Sequence, residues 1–228
     1  VCIHFLDFLL KFARDKGFPT KTLLLNLNFD FEWFKDPDSR VPATTFMRIW
    51  NKIAKTVGDK NFGLFLGSDL KHFPFSHIVF SVMLNEKSLF SALKNMIRYH
   101  NLMSDIVQPN LVVNKESVVF SLGAKSKDIF GSRQYPEFVF AMILSVLRHL
   151  SHEDLNPKMV CFSSKIPNDL QKQSQFFGSK LIFGSKMDEM VFQKKSLETK
   201  INLSNPDLLP LLELHAHSPL SPFHDVQS

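Results

Sequence analysis

The sequence predicts an α+β fold, a single helix-rich domain built around a small, mostly antiparallel sheet. Three observations predict it. Apolar residues recur at helical spacing through most of the first 103 residues. The pattern then switches to period two around the turn Asn114-Lys115-Glu116. Finally, FVFAMILSVLRHL (138–150) is apolar nearly all round, the mark of a helix buried in the middle of a domain.

In residues 1–15, Ile3, Phe5, Leu6, Leu9, Leu10 and Ala13 make one helical face that Gly17 closes. A short helix is expected over 20–27, and a structured loop over 29–42. Thr44 or Thr45 can cap the next helix, whose stripe Phe46, Ile49, Trp50, Ile53, Ala54 and Val57 runs to Gly58. NFGLFLGSDL (61–70) predicts a short helix closed by Gly67, and Ile78 to Leu84 predicts another.

Asn85 is placed to cap a longer helix. From Lys87 to Met103, the residues Leu89, Phe90, Leu93, Met96, Ile97 and His100 share a face and predict one continuous helix. Leu111 and Val113, then Val118, Phe120 and Leu122, alternate across a hairpin. Pro136 suits the first turn of the buried helix.

MVCFS (159–163) reads as a short strand, and Pro167 as the start of an amphipathic helix with inner face Leu170, Ser174 and Phe177. The doubled FGSK reads as two glycine stops. Gly178 ends that helix, and Gly184 turns the strand 181–183 back toward a partner strand 189–192. A Walker loop is disfavoured, because five residues separate the glycines and Ser185 follows the second. Pro206 to His215 closes the domain, 1–216, with a short helix opened by Ser204 or Asn205. Residues 217–228 read as a linker or a cut end.

The chain has 228 residues, net charge +5 and 24 phenylalanines. The rings predict a Phe-rich core, some of it lining an apolar ligand pocket. Eight lysines between 156 and 200 are dispersed against four acids, as on a solvated face. The two cysteines, Cys2 and Cys161, form no CxxC pair, which fits a reducing cytoplasm. The apolar opening carries Asp7 and Lys11 and is too short to span a bilayer. A start at Val rather than Met suggests a piece of something longer.

For chemistry, no GxSxG, HExxH, GxGxxG or EF-hand loop occurs, so no enzyme class is indicated. His149 and His152 share a helix face and could hold a metal. The same spacing equally makes a basic C-terminal turn that suits the helix dipole, and no metal or cofactor is assigned. Arg98, Tyr99 and His100 on one helix, and Arg133 and Tyr135 before the buried one, are polar groups next to apolar faces. Such groups need a partner, in the protein or on a ligand. Either arginine could meet an anionic head group whose apolar body lies against Phe138, Phe140 and Met142.

DPDSRVPATTFMRIWNKIAKTVGDKNFGLFLG (36–67), SLFSALKNMIRYHNLMSD (88–105), RQYPEFVFAMILSVLRHL (133–150), PNDLQKQSQFFGSKLIFGSKMDEMVF (167–192) and SNPDLLPLLELHA (204–216) together resemble, in this order, the N-terminal, arabinose-binding-like domain of AraC-family transcription regulators. The resemblance implies the effector-sensing, often dimerising part of a bacterial one-component regulator. DNA would be contacted only through a C-terminal helix-turn-helix domain absent from this chain. It does not imply a sugar. Two Trp and two Tyr against so many Phe favour an apolar or amphipathic effector, such as a carboxylate with a hydrocarbon body. The alternative is an interaction or dimerisation module with no small-molecule effector.

Overall fold

The computed structural model describes residues 1–124, 133–202 and 204–217. The expected linker therefore lies, except for His217, outside the described residues.

Ten helices and five strands are arranged as α1 (Ile3–Asp15), α2 (Thr20–Asn26), α3 (Ala43–Val57), α4 (Phe62–Ser68), α5 (Ile78–Leu84), α6 (Leu89–Arg98), α7 (His100–Met103), β1 (Val107–Val113), β2 (Ser117–Ala124), α8 (Gln134–Ser151), β3 (Met159–Phe162), α9 (Gln171–Phe177), β4 (Lys180–Phe183), β5 (Asp188–Gln193) and α10 (Leu209–His217) among the described residues. Short 3-10 turns occupy Phe31–Lys35, Lys194–Glu198 and Pro206–Leu208.

The sheet order is β1-β2-β5-β3-β4, antiparallel except for the parallel pair β3 and β4. β1 and β2 form the expected hairpin. The expected β4–β5 hairpin does not form, because β3 lies between the two strands. The reason is visible at the turn. Gly184 N–H donates to Ser164 O (2.9 Å) and Ser185 N–H to Phe162 O (3.0 Å), which fastens the end of β4 to β3. Two parallel neighbours need a crossover, and α9 supplies it.

α8 is buried on nearly every side because it is sandwiched. Phe140 meets Phe120 and Phe162 of the sheet at 6.0 and 5.7 Å between ring centroids. On the far side Phe138 meets Trp50 of α3 at 5.1 Å and Phe8 of α1 at 6.4 Å. The third neighbour of α8 is α4, whose face toward it is Gly63 and Gly67. A Cβ on Gly67 would stand 2.4 Å from Phe138 O, and one on Gly63 1.9 Å from Gln134 O. The two glycines thus let two helix backbones touch. Gly67 lies inside α4 and does not close it; the expectation mistook a packing glycine for a stop.

Other boundaries differ for local reasons. The helix predicted over 87–103 breaks at Tyr99 into α6 and α7. Its cap is Ser88, in a capping box with Ser91, while Asn85 ends α5. α3 starts at Ala43 after Pro42, ahead of both threonines. α9 starts at Gln171, not Pro167, and its buried residues are Gln173 and Phe177. Gly178 does end α9, at φ +58°, in the left-handed region that costs glycine least.

Gln173 is buried with its amide nitrogen engaged and its Oε1 without a hydrogen-bond partner among the described residues. Its Nε2 donates to Asn61 Oδ1 (2.9 Å) and Glu137 Oε1 (3.2 Å), while Arg133 Nη1 donates to the same Glu137 oxygen at 2.7 Å. This network ties α9 and the loop before α4 to the first turns of α8. Burial pushes the Glu137 carboxyl up to about 7, against the opposing pull of Arg133. No helix among the described residues is long and apolar enough to cross a membrane.

Candidate functional site

A cavity of about 50 Å³ lies where α8, the β1–β2 hairpin and the α6–α7 junction meet. Its walls are almost wholly apolar. They include Phe46 of α3, Met96 of α6, Met103 of α7, Phe120 and Leu122 of β2, and Phe138, Met142 and Ile143 of α8. His100, Ser104 and Tyr135 are the polar side chains on its lining. The periodicity of each element brings these walls together. Phe120 and Leu122 share the inner face of β2, and Phe138 and Met142 stand one turn apart on α8.

The polar corner is held in place. His100 Nδ1 lies 2.8 Å from Ile97 O, and a carbonyl only accepts, so that nitrogen carries the proton. Burial pushes the Tyr135 phenol far up, opposed by a hydrogen bond with Ser104, so Tyr135 stays neutral. The polar side chains at this corner are engaged with protein partners, and the cavity offers almost wholly hydrocarbon and aromatic surface.

At 50 Å³ the space is far below the ~300–1,000 Å³ of a pocket for a drug-sized ligand. Three of its walls are methionines, however, and an unbranched thioether repacks more readily than a branched or aromatic side chain. Met96, Met103 and Met142 are those three.

Of the eight residues expected from sequence, the structure brings His100, Tyr135, Phe138 and Met142 together around the cavity. Phe140 points to the sheet. Arg133 is engaged by Glu137 and by Lys60 O at 2.6 Å. Tyr99 and Arg98 hold α10. The Tyr99 hydroxyl is 3.2 Å from His217 Nε2, and the Arg98 guanidinium is 5.2 Å from the Tyr99 ring centre and 3.5 Å from Glu213. Neither arginine lines the cavity.

Sequence reasoning missed Met103 and Ser104. Met103 stands seven residues after Met96, a spacing that places it on the same helical stripe. His149 lies against Phe75 at 4.8 Å, and His152 ends α8 at φ +55°. No three His, Cys, Asp or Glu side chains converge on a metal position among the described residues. A second, polar opening lies on the other side of the segment Leu102 to Asp105.

The family model for the N-terminal arabinose-binding domain of AraC transcription regulators matches residues 17–201. Among solved structures, the transcriptional regulator CdpR from Pseudomonas aeruginosa is similar, with a TM-score of 0.59 at 15% identity over 85% of this chain. At that identity the likeness is one of fold, and this chain spans 59% of the length of that one. No curated protein matches. On the extent of the family match, the chain belongs to the N-terminal arabinose-binding domains of AraC-type transcription regulators.

Proposed function

We propose that this domain senses a small apolar or amphipathic molecule in the cytoplasm and passes its occupancy to a DNA-binding domain elsewhere in the regulator. The carrying observation is the methionine-walled apolar cavity at the meeting point of α8, the hairpin and α6–α7. A ligand there would displace Met103 and Ser104, and with them the adjoining segment that faces α10 across the polar opening. The requirement is modest: an effector that prefers one of two arrangements by about 1.4 kcal/mol shifts their ratio tenfold.

The test is a thermal-shift series with medium-chain fatty acids, the matching alcohols and monosaccharides. A ligand at 100 times its Kd adds about 2.7 kcal/mol, or roughly 5–11 °C in a domain of this size. The apolar members should stabilise, and Met142→Phe should remove the response by occupying the space. Stabilisation by sugars alone, or an undiminished response in Met142→Phe, would overturn this reading.

A second reading, an interaction or dimerisation module, draws on Leu208, Leu211 and Leu214, which are 44%, 66% and 70% exposed along one side of the α10 segment. Sedimentation that shows a dimer dispersed by Leu211→Lys, with no thermal response to any ligand, would favour it.

A further inference from the structure

On the other side of Leu102 to Asp105 from the apolar cavity lies a cleft of about 610 Å³, a size suited to a small-molecule ligand. Five parts of the fold enclose it: the start of α1 (Cys2, His4), the loop carrying Asp38 and Arg40, the start of α5 (His77, Ser81), the end of α7 with Asp105, and His215 of α10.

Its charged groups have distinct commitments. Arg40 Nη1 donates to Leu102 O at 2.8 Å, and its Nη2 stands 3.7 Å from Asp105 Oδ1, too far for a hydrogen bond. A guanidinium has five N–H donors in a planar fork, and the fork matches a carboxylate. His77 is fixed in the neutral form. Its Nδ1 accepts from Val79 N–H, and burial, followed by the nearby His4 and Arg40, lowers its pKa to about 4. His4 meets the His77 ring edge-on at 5.6 Å, and its Nδ1 is buried with no hydrogen-bond partner among the described residues. Asp38 supplies an acceptor on the same walls, and Asp105, whose Oδ1 already accepts from the Val1 ammonium at 2.9 Å, supplies its second oxygen.

We infer that this cleft binds a small organic carboxylate that also carries a hydrogen-bond donor, its carboxylate on the Arg40 fork and its donor group on the Asp38 and Asp105 side. His215 places α10 within reach of the bound molecule. The site is separate from the apolar cavity, and its ligand class differs from the one proposed there.

Calorimetric titration of the chain with glycolate, L-malate, L-serine and L-glutamate tests it, with propionate (no donor group) and glucose (no carboxylate) as comparisons. At least one hydroxy or amino acid should saturate below about 10 mM and bind roughly tenfold tighter than propionate and glucose. Arg40→Lys keeps the charge but loses the fork and should weaken binding about tenfold. Ser81→Trp fills the cleft from the α5 side, leaving Arg40 itself in place, and should abolish binding. Should Arg40→Lys fail to fold, Ser81→Trp carries the test. No saturation by any of the four acids, equal binding of propionate or glucose, or full affinity in Ser81→Trp would overturn the inference.

Discussion

Gly67→Ala probes the contact that sets α8, and with it the cavity, against α4. The added methyl would lie 2.4 Å from Phe138 O, 2.8 Å from Ala141 Cβ and 2.8 Å from Met142 N. Two of the three obstacles are backbone, so no side-chain rotation relieves the clash and the helices must part. Overpacking of this kind costs about 1–3 kcal/mol, and such short backbone contacts argue for the upper end. Alanine returns ~1 kcal/mol in helix propensity relative to glycine. The net loss is about 2 kcal/mol, which corresponds to a fall of roughly 4–8 °C in Tm for a domain of this size. Calorimetry on the wild type and the variant reads it directly. An unchanged or higher Tm would mean that propensity wins, and that α4 and α8 do not meet at backbone contact.

Two further predictions concern the supports of α8 and α6. The Glu137 carboxyl has a folded-state pKa raised from 4.5 to about 7, so its protonated form favours the fold. That contribution is complete below 4.5 and is lost as pH rises to 7 and beyond, a change of about 3 kcal/mol. His77, with its lowered pKa, acts in the opposite sense, stability rising with pH from about 4 to 6.5. The comparison must therefore be between variants: in urea titrations at pH 5 and pH 8, Glu137→Gln should lose less stability with rising pH than the wild type, and equal slopes would refute the assignment. Ser88→Ala removes an acceptor for Ser91 N–H and dissolves the capping box of α6. It should cost about 1 kcal/mol, or a fall of roughly 2–4 °C in Tm, and no change would show the cap to be idle.

The parts of the fold that rest on short-range patterning were legible in the sequence. The period-two run through Val118, Phe120 and Leu122 placed β2 with its buried face, and the all-apolar 138–150 placed α8 in the interior. Relations between distant segments were not legible. Nothing near Gly184 says that β3 will sit between β4 and β5, since that pairing is decided by the α9 crossover. Gly67 carries the same local signal whether it stops a helix or admits a neighbouring one, and only Phe138, 71 residues later, decides. The arginines show the same limit. Arg98 and Arg133 stood beside apolar faces; Arg133 pairs with Glu137 four residues on, but its second partner, the Lys60 carbonyl, and the Glu213 partner of Arg98 come from remote elements. Arg40 stood in the sequence only as part of the DPDSRVP stretch, and its contact with the Leu102 carbonyl, 62 residues away, was not legible there.

The central claim is that the methionine-walled cavity receives the effector. Methyl NMR of the chain's eight methionines tests it most directly, during titration with an apolar ligand that stabilises the protein. The signals of Met96, Met103 and Met142 should shift together and saturate, while Met47 and Met187 stay in place. Saturable binding that leaves those three methyls unmoved would contradict the claim.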